Sequence, residues 1–418
     1  MVDKVYCVPG NPGIARIRKC ACIPDIKPDN FGDLFDLIDA EQIDLTVPGS
    51  EGLLCAGLVD RFCERFRLSE HRIFGPKAKP AEIEGSKAYA HRFMEKYGIP
   101  TGKAIICENY QDAEEVVKRW VSSGCNKPLV IKADGLAAGK GTILAHNPEE
   151  AYNAIDKMMV QRIFGAAGDV IVFMEFLEGE ELSIFVLVDG TNYVIINVPC
   201  QDHKRLLDGD EGPNTGGMGA YGPVSIATPG LMACVEKTII EPTVWGLVKK
   251  GHPFVGILYC GLMITTEGPK VIEYNCRMGD PEAQVVFPLL ISDIIPTIWD
   301  ACAGKLGGHK VEVSDKSSVC VILASEGYPV DPITKRLMSS LYLYADGDRA
   351  RVFHSGTAPD DKGRLITAGG RVVGVTSLGD DINHACEQVY SVVDNVYFEG
   401  MQFRIDIAKR ERERFRSR

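Results

Sequence analysis

The sequence predicts a multidomain α/β protein, and three observations carry that reading. At 418 residues the chain is longer than one hydrophobic core ordinarily organises, so roughly two to four domains are expected. Apolar runs of strand length alternate with helix-periodic stretches along most of it. Apolar residues make up 45% and charged residues 25%, the mix of a soluble globular protein.

Residues 1–76 form the first unit. VYCV reads as a strand, PGNPG as a turn, Phe31–Glu41 as a helix and IDLTVPG as another strand run. Strand, glycine turn and helix in that order suit an open doubly wound sheet, and Phe74-Gly75-Pro76 closes the unit. Residues 77–300 form the second. Ala81–Tyr97 reads as one helix that stops at Gly98-Ile99-Pro100, a C-terminal glycine followed by a breaker. PLVIKA, VIVFMEFL, ELSIFVLV and YVIINV read as strands of a sheet. Residues 301–418 form the third unit, with SVCVILAS and RVVGVTS as strands and Ile382–Val393 as a helix. The terminal IAKRERERFRSR mixes charges and reads as a solvated helix end.

Lys and Arg number 46 against 57 Asp and Glu, a net charge of −11. That argues against nucleic acid as a partner and leaves anionic small ligands open. No apolar stretch is long enough to span a membrane, and MVDKVYCVPGNPG lacks the basic flank and apolar run of a signal peptide. The 14 cysteines include no C-x-x-C pair, the closest being Cys20-x-Cys22. Most, such as Cys107, Cys260, Cys320 and Cys386, sit in apolar surroundings and read as small buried side chains of a reduced, cytoplasmic protein. The 8 histidines are scattered, which disfavours zinc.

The strongest local signal is Ile131-Lys132-Ala133-Asp134-Gly135-Leu136-Ala137-Ala138-Gly139-Lys140-Gly141. Lys132 interrupts an apolar strand, and a buried lysine needs a partner. The loop after it joins Gly135, Gly139 and Gly141 to Lys140, so that backbone N–H groups and point charge can meet phosphate oxygens. It is not a P-loop: the gap between glycines is one residue short, and Gly141 stands where Ser or Thr is required. Gly217-Met218-Gly219-Ala220-Tyr221-Gly222 satisfies G-x-G-x-x-G, but Pro223 follows and no helix opens there, so the dinucleotide fingerprint fails on context.

Glu175-Phe176-Leu177-Glu178-Gly179-Glu180-Glu181 joins two apolar runs. It suits either a plain acidic turn or a hinge offering backbone groups to an adenine edge. In Val271-Ile272-Glu273-Tyr274-Asn275, strand alternation puts Glu273 and Asn275 on one face, two oxygen ligands suited to Mg²⁺; the alternative is the polar outer face of an edge strand. Arg277, Asp280 and Glu282 crowd the turn that follows, where Arg277 can hold a carboxylate or a phosphoryl group. QDHKR, with Asp202, Lys204 and Arg205, and NTGGMGAY, with Gly216, Gly217 and Gly219, suit a loop that surrounds a small anionic substrate. His203 reads as structural.

IKADGLAAGKG, QDHKR, NTGGMGAY and IEYNCRMGDPE, in this order and spacing, resemble the phosphoribosylamine–glycine ligases of the ATP-grasp superfamily. EGSKAYAHRFMEKYGIPT, PGNPG, FHSGT and TAGGRV extend the resemblance over nearly the whole chain. It implies an N-terminal open-sheet domain, a central ATP-grasp domain of two subdomains and a small C-terminal α/β domain. The implied reaction joins glycine to 5-phosphoribosylamine at the expense of ATP, an early step of purine synthesis, with Mg²⁺ or Mn²⁺. By motif match, Lys87 and Lys132 contact nucleotide phosphates, and the Asp134–Gly141 loop closes over them. Glu175 and Leu177 offer backbone groups to adenine, Glu181 takes the ribose, and Glu273 and Asn275 hold the metal. Arg277 and Asp280 handle glycine, while Asp202, Lys204 and Arg205 position substrate. Some ATP-grasp relatives carry a further metal-binding acid on the preceding strand, which here reads CGLMI.

One departure stands out. Members of the family begin with a strand, a Gly-Gly turn and Arg-Glu-His opening a helix, whereas DKVYCVPGNPG matches the second strand of that domain. The expectation is an incomplete N-terminal sheet. The alternative to an active ligase is therefore a nucleotide-binding form whose ligation is impaired.

Overall fold

The computed structural model describes residues 2–137, 141–339 and 350–416. In the N-terminal unit, Val5–Cys7 pairs in parallel with Cys20–Cys22, and Leu45–Thr46 with Arg72–Ile73. The strand–turn–helix alternation forms, but the two parallel pairs are not hydrogen-bonded into one sheet. Helix Phe31–Ala40 starts at Asn30, whose side chain accepts from the Asp33 N–H. It buries Phe31, Phe35 and Ile38, and Phe35 meets Phe62 and Phe66 edge-on with ring centroids 6.1 and 5.5 Å apart.

The helix expected over Ala81–Tyr97 is two helices, Ala78–Gly85 and Lys87–Tyr97. Ser86 is extended (φ −138°, ψ 116°) and caps the second helix by accepting from the Tyr89 N–H. A serine that bonds the backbone ahead of it competes with helix continuation, which periodicity alone does not reveal. The break puts a fresh helix start at Lys87. The C-terminal end is as expected, with Gly98 at φ 67°.

A four-stranded antiparallel sheet follows in the order Ala104–Cys107, Ile171–Met174, Leu129–Ala133, Thr142–Ala145. Helices Tyr110–Ser122 and Pro148–Ile155 supply Val116, Val117, Ala151 and Ile155 to a core with Ile131 and Phe173. The four apolar runs of this region therefore divide: PLVIKA and VIVFMEFL serve the small sheet, ELSIFVLV and YVIINV the large one.

Among the described residues the large sheet has eight strands, all antiparallel: Gly268–Asn275, Val255–Thr265, Glu180–Asp189, Tyr193–Asp202, Gly219–Gly222, Ser317–Ala324, Arg371–Gly379 and Arg351–His354. Its long central strands are nearly continuous apolar runs because both faces are covered. The C-terminal strands and helix Ile382–Val393 lie where the sequence puts them. Rather than forming a sheet of their own, they extend the large one through Gly219–Gly222, which carries C-terminal elements to the rim of the site. Arg404, 1% exposed at its side chain, pairs with Asp406 and Asp210 and so ties the C-terminal segment to the Arg205–Asn214 hairpin.

Candidate active site

The two sheets flank a cleft of about 800 Å³. Strand Leu129–Ala133 delivers Lys132, 5% exposed, into it. Among the described residues its ammonium meets the Ile272 carbonyl, at 3.4 Å, and no carboxylate within ion-pair reach. Burial pulls its pKa down despite the Glu273 carboxylate nearby. Lys87 opens its helix beside it, donating to the Gly135 carbonyl at 3.0 Å, and burial lowers its pKa too. Asp134 holds the helix start by accepting from the Ala88 N–H at 2.6 Å and from the Ser86 hydroxyl at 3.0 Å. Gly135 and Gly141 have packing reasons to be glycine: a Cβ would come within 2.8 and 2.7 Å of the Ala167 and Ala137 Cβ atoms. Gly139 and Lys140 lie outside the described residues.

Across the cleft, Glu273 and Asn275 share one face of their strand and both line the space. Burial opposes ionisation of Glu273, but Lys204, Lys132, Lys87 and Arg277 outweigh it and hold the carboxyl below its ordinary range. Lys204 lies 3.0 Å from Glu181 and 3.9 Å from Glu273. Burial works against its charge, yet Glu181, Asp202 and Glu273 together raise its pKa well above normal. Asp202, half-buried beside Glu282, Glu181 and Glu273, is pushed up to about 8 by desolvation and those acids, with Lys204 opposing. Glu181, expected at a ribose, thus faces Lys204. Glu175 and Leu177 line the cleft as expected of a hinge, but the Glu175 N–H is already donated to Lys103 O at 2.8 Å, leaving its carbonyl for a ligand.

The ladder partner of Glu273 is Gly261, where a Cβ would stand 3.3 Å from the Glu273 Cγ. The preceding strand therefore offers no acid there. Among the described residues no three His, Cys, Asp or Glu side chains are grouped to hold a metal. Glu273 and Asn275 remain as two hard oxygen donors, a set that fits Mg²⁺ or Mn²⁺ completing its shell with phosphate oxygens and water.

Arg277 is more engaged than its motif suggests. Its Nε donates to Glu51 at 2.8 Å, Nη2 lies 3.1 Å from Glu84 and Nη1 donates to Met278 O at 3.0 Å. Both acids come from N-terminal helices, and nothing in the sequence near Arg277 announces them. Asp280 accepts from Gln284 at 2.9 Å and pairs with Arg371 at 2.9 Å. Glu282, itself buried, accepts from the Tyr259 hydroxyl at 2.7 Å, and burial raises its pKa. Asp202, Lys204, Arg205 and Gly216 line the cleft, with Arg205 donating to Gly212 O at 2.6 Å. Gly217 and Gly219, expected to hold substrate, do not line it and serve close packing instead. A Cβ at Gly217 (φ +112°) would strike the Pro281 ring at 2.5 Å, and one at Gly219 the Cys320 carbonyl at 2.6 Å. His203 is buried and accepts from the Ala408 N–H at 3.2 Å, a structural role.

Family models for the N domain, the ATP-grasp (A) domain and the C domain of phosphoribosylglycinamide synthetase match residues 1–84, 85–283 and 318–410. The chain belongs to the phosphoribosylglycinamide synthetase family. A phosphoribosylamine–glycine ligase of Caldanaerobacter subterraneus is 42% identical over 97% of this chain and 94% of its own. One of Neisseria meningitidis serogroup B is 43% identical over 97% and 93%. The crystal structure of phosphoribosylamine–glycine ligase from Thermotoga maritima superposes with a TM-score of 0.79 at 35% identity, covering 97% of this chain and 94% of that one. The biotin carboxylase domain of Hydrogenobacter thermophilus 2-oxoglutarate carboxylase shares the fold alone, with a TM-score of 0.69 at 17% identity over 93% and 83%. The three-part synthetase architecture, N-terminal domain, central ATP-grasp domain and C-terminal domain, is thus the fold of this chain.

In this synthetase Glu84 gives the ligand-free protein a pH signature. Its side chain is 6% exposed, and burial pushes its pKa up from 4.5 to about 7 against the pull of Arg277. The folded state then holds a proton that the unfolded state releases, so stability falls as pH rises from 4.5 through about 7. Glu84→Gln removes that slope. In denaturant titrations its stability relative to the parent should improve by up to ~3 kcal/mol across the window. Parallel curves for the two proteins would show that Glu84 is already ionised when folded.

Proposed function

We propose that the chain ligates glycine to 5-phosphoribosylamine, consuming ATP and releasing ADP, phosphate and glycinamide ribonucleotide. The observation that carries this reading is the cleft in which Lys87, Lys132, Lys204 and Arg277 surround Glu273 and Asn275, in a chain 42% identical to a phosphoribosylamine–glycine ligase. A relative from Pichia angusta, 40% identical over 97% of this chain and 50% of its own, is named a bifunctional purine biosynthetic protein, which supports a place in purine synthesis. The Hydrogenobacter domain is described with MgADP, which supports a nucleotide and a divalent metal here. The free thiols and the absence, among the described residues, of any helix able to cross a membrane suit a cytoplasmic enzyme.

A carboxylate is a poor acyl donor because its leaving group is oxide. Transfer of the terminal phosphoryl group of ATP to a glycine oxygen makes glycyl phosphate and ADP. The amine of phosphoribosylamine then attacks the acyl carbon, and phosphate leaves. The protein supplies position and charge. Lys87 and Lys132 are desolvated cations at the phosphates, where low polarity strengthens their pull. Glu273 and Asn275 would hold Mg²⁺ or Mn²⁺, which when bound neutralises phosphate charge. Arg277, with three protein partners, keeps further N–H groups for the glycine carboxylate, and Asp280 stands at the same turn. The Glu175 carbonyl and Leu177 would meet adenine, and Lys204, Arg205 and Gly216 the phosphoribosyl group.

The test is ADP release with each substrate omitted in turn and mass analysis of the product. ADP that depends on both glycine and phosphoribosylamine, with glycinamide ribonucleotide formed, is the expected result. ADP release without a ligated product would restore the nucleotide-binding alternative, which no observation favours at present.

A further inference from the structure

We propose that Arg371 is a positioning residue through which the C-terminal domain sets the geometry of the substrate cleft. Arg371 opens the strand Arg371–Gly379 and lines the cleft. Its Nη1 donates to Gly216 O at 2.8 Å and to Asp280 O at 2.7 Å, and its Nη2 to the Asp280 carboxylate at 2.9 Å. One guanidinium thus joins two loops distant in sequence, the Asn214–Gly219 loop and the turn carrying Asp280. The preceding peptide is held as well, since the Gly216 N–H donates to the Tyr328 hydroxyl at 2.9 Å. At Gly216 a Cβ would lie 3.1 Å from the Arg371 Cζ, so any side chain there would press on the guanidinium.

The mount of Arg371 is stiff. Its carbonyl accepts from the Gly356 N–H at 2.9 Å, and Gly356 O accepts from the Ala368 N–H at 2.7 Å. The Tyr328 ring packs on Gly370, where a Cβ would strike it at 2.3 Å. FHSGT and TAGGRV therefore serve as the base for one bridging side chain.

The Arg371–Asp280 pair is half open to solvent, with side chains 21% and 46% exposed, so its charge attraction adds little to stability. What it fixes is direction. Three hydrogen bonds from a rigid fork locate Gly216 and Asp280 relative to one another, and a small misplacement of reacting groups is costly in rate. Lysine carries the same charge on a single point and cannot bridge both loops.

This inference rests on the ligase reading, and its test separates the two. Arg371→Met, Arg371→Lys and Tyr328→Phe are compared with the parent in ligation kinetics, thermal melting and hydrogen–deuterium exchange of peptides covering residues 213–219 and 279–284. Both Arg371 variants should lose about 100-fold in kcat with the KM for ATP within about threefold, and Tyr328→Phe about 10-fold. Melting should move by less than about 4 °C, and exchange should quicken in both loops. If Arg371→Met fails to fold, the other two variants decide. Full activity in Arg371→Lys would show that charge alone matters. Near-parental kcat in Arg371→Met, or unchanged exchange in either loop, would equally overturn the clamp. A parent without ligation would sink the ligase reading, while exchange would still judge the clamp.

Discussion

Glu273→Gln is expected to lose metal-dependent turnover by about 100-fold or more, with no recovery at high Mg²⁺. Glu273 is the charged member of a two-residue oxygen set, and its ladder partner Gly261 cannot substitute. The same change should weaken the ligand-free protein. Lys204, Lys132, Lys87 and Arg277 all act on this carboxylate. Neutralising it leaves them facing one another, and the free protein should melt lower, though solvent screening at a side chain 38% exposed keeps the loss small. Enzyme assays across a magnesium titration, with melting of the free protein, check both halves. Near-normal activity at any metal concentration would place the metal elsewhere.

Lys132→Met is expected to give the opposite sign on stability and the same sign on activity. The ammonium is 5% exposed and its hydrogen bond to Ile272 O is long, at 3.4 Å. A buried charge so weakly partnered is a burden on the free protein, and a methionine of similar length fills the space without it. Melting of the ligand-free variant should stay level or rise. Turnover should fall by about 100- to 1,000-fold, because a desolvated cation at the phosphates is lost. A variant that melts markedly lower would mean that Lys132 is held by structure rather than reserved for a ligand. A variant with parental turnover would remove it from the phosphate site.

These two residues were also the most legible in the sequence, for the same physical reason. Lys132 breaks an apolar strand, and Glu273 alternates with Asn275 on another, so each conflicts with what local burial asks. The strand runs at 129–133, 180–189, 317–324 and 371–379 are recognisable because covered sheet faces demand apolar side chains. What local pattern does not carry is which strands pair. The continuity of the large sheet into the C-terminal domain, and the split of the N-terminal strands into two parallel pairs, depend on long-range register. The pairing of Glu51 and Glu84 with Arg277 is not legible in the sequence, because they reach it from helices about 200 residues away. Arg371 lies inside the TAGGRV motif, but its role depends on two loops folding onto it. The cysteines divide. Cys107, Cys200, Cys260, Cys276, Cys320 and Cys386 are buried and burial raises their thiol pKa values, whereas Cys125 and Cys234 are exposed.

Ligation through glycyl phosphate makes one demand that binding experiments cannot imitate. An oxygen of the glycine carboxylate must become the bridge to phosphorus and depart with the phosphate when the amine attacks the acyl carbon. Turnover with glycine labelled with ¹⁸O in both carboxylate oxygens, followed by mass analysis of the inorganic phosphate, reads this directly. One labelled oxygen per phosphate released, with the other retained in the amide of the product, is the expected result. Unlabelled phosphate accompanied by ADP would mean that ATP is hydrolysed by water in this cleft and that glycine is never activated.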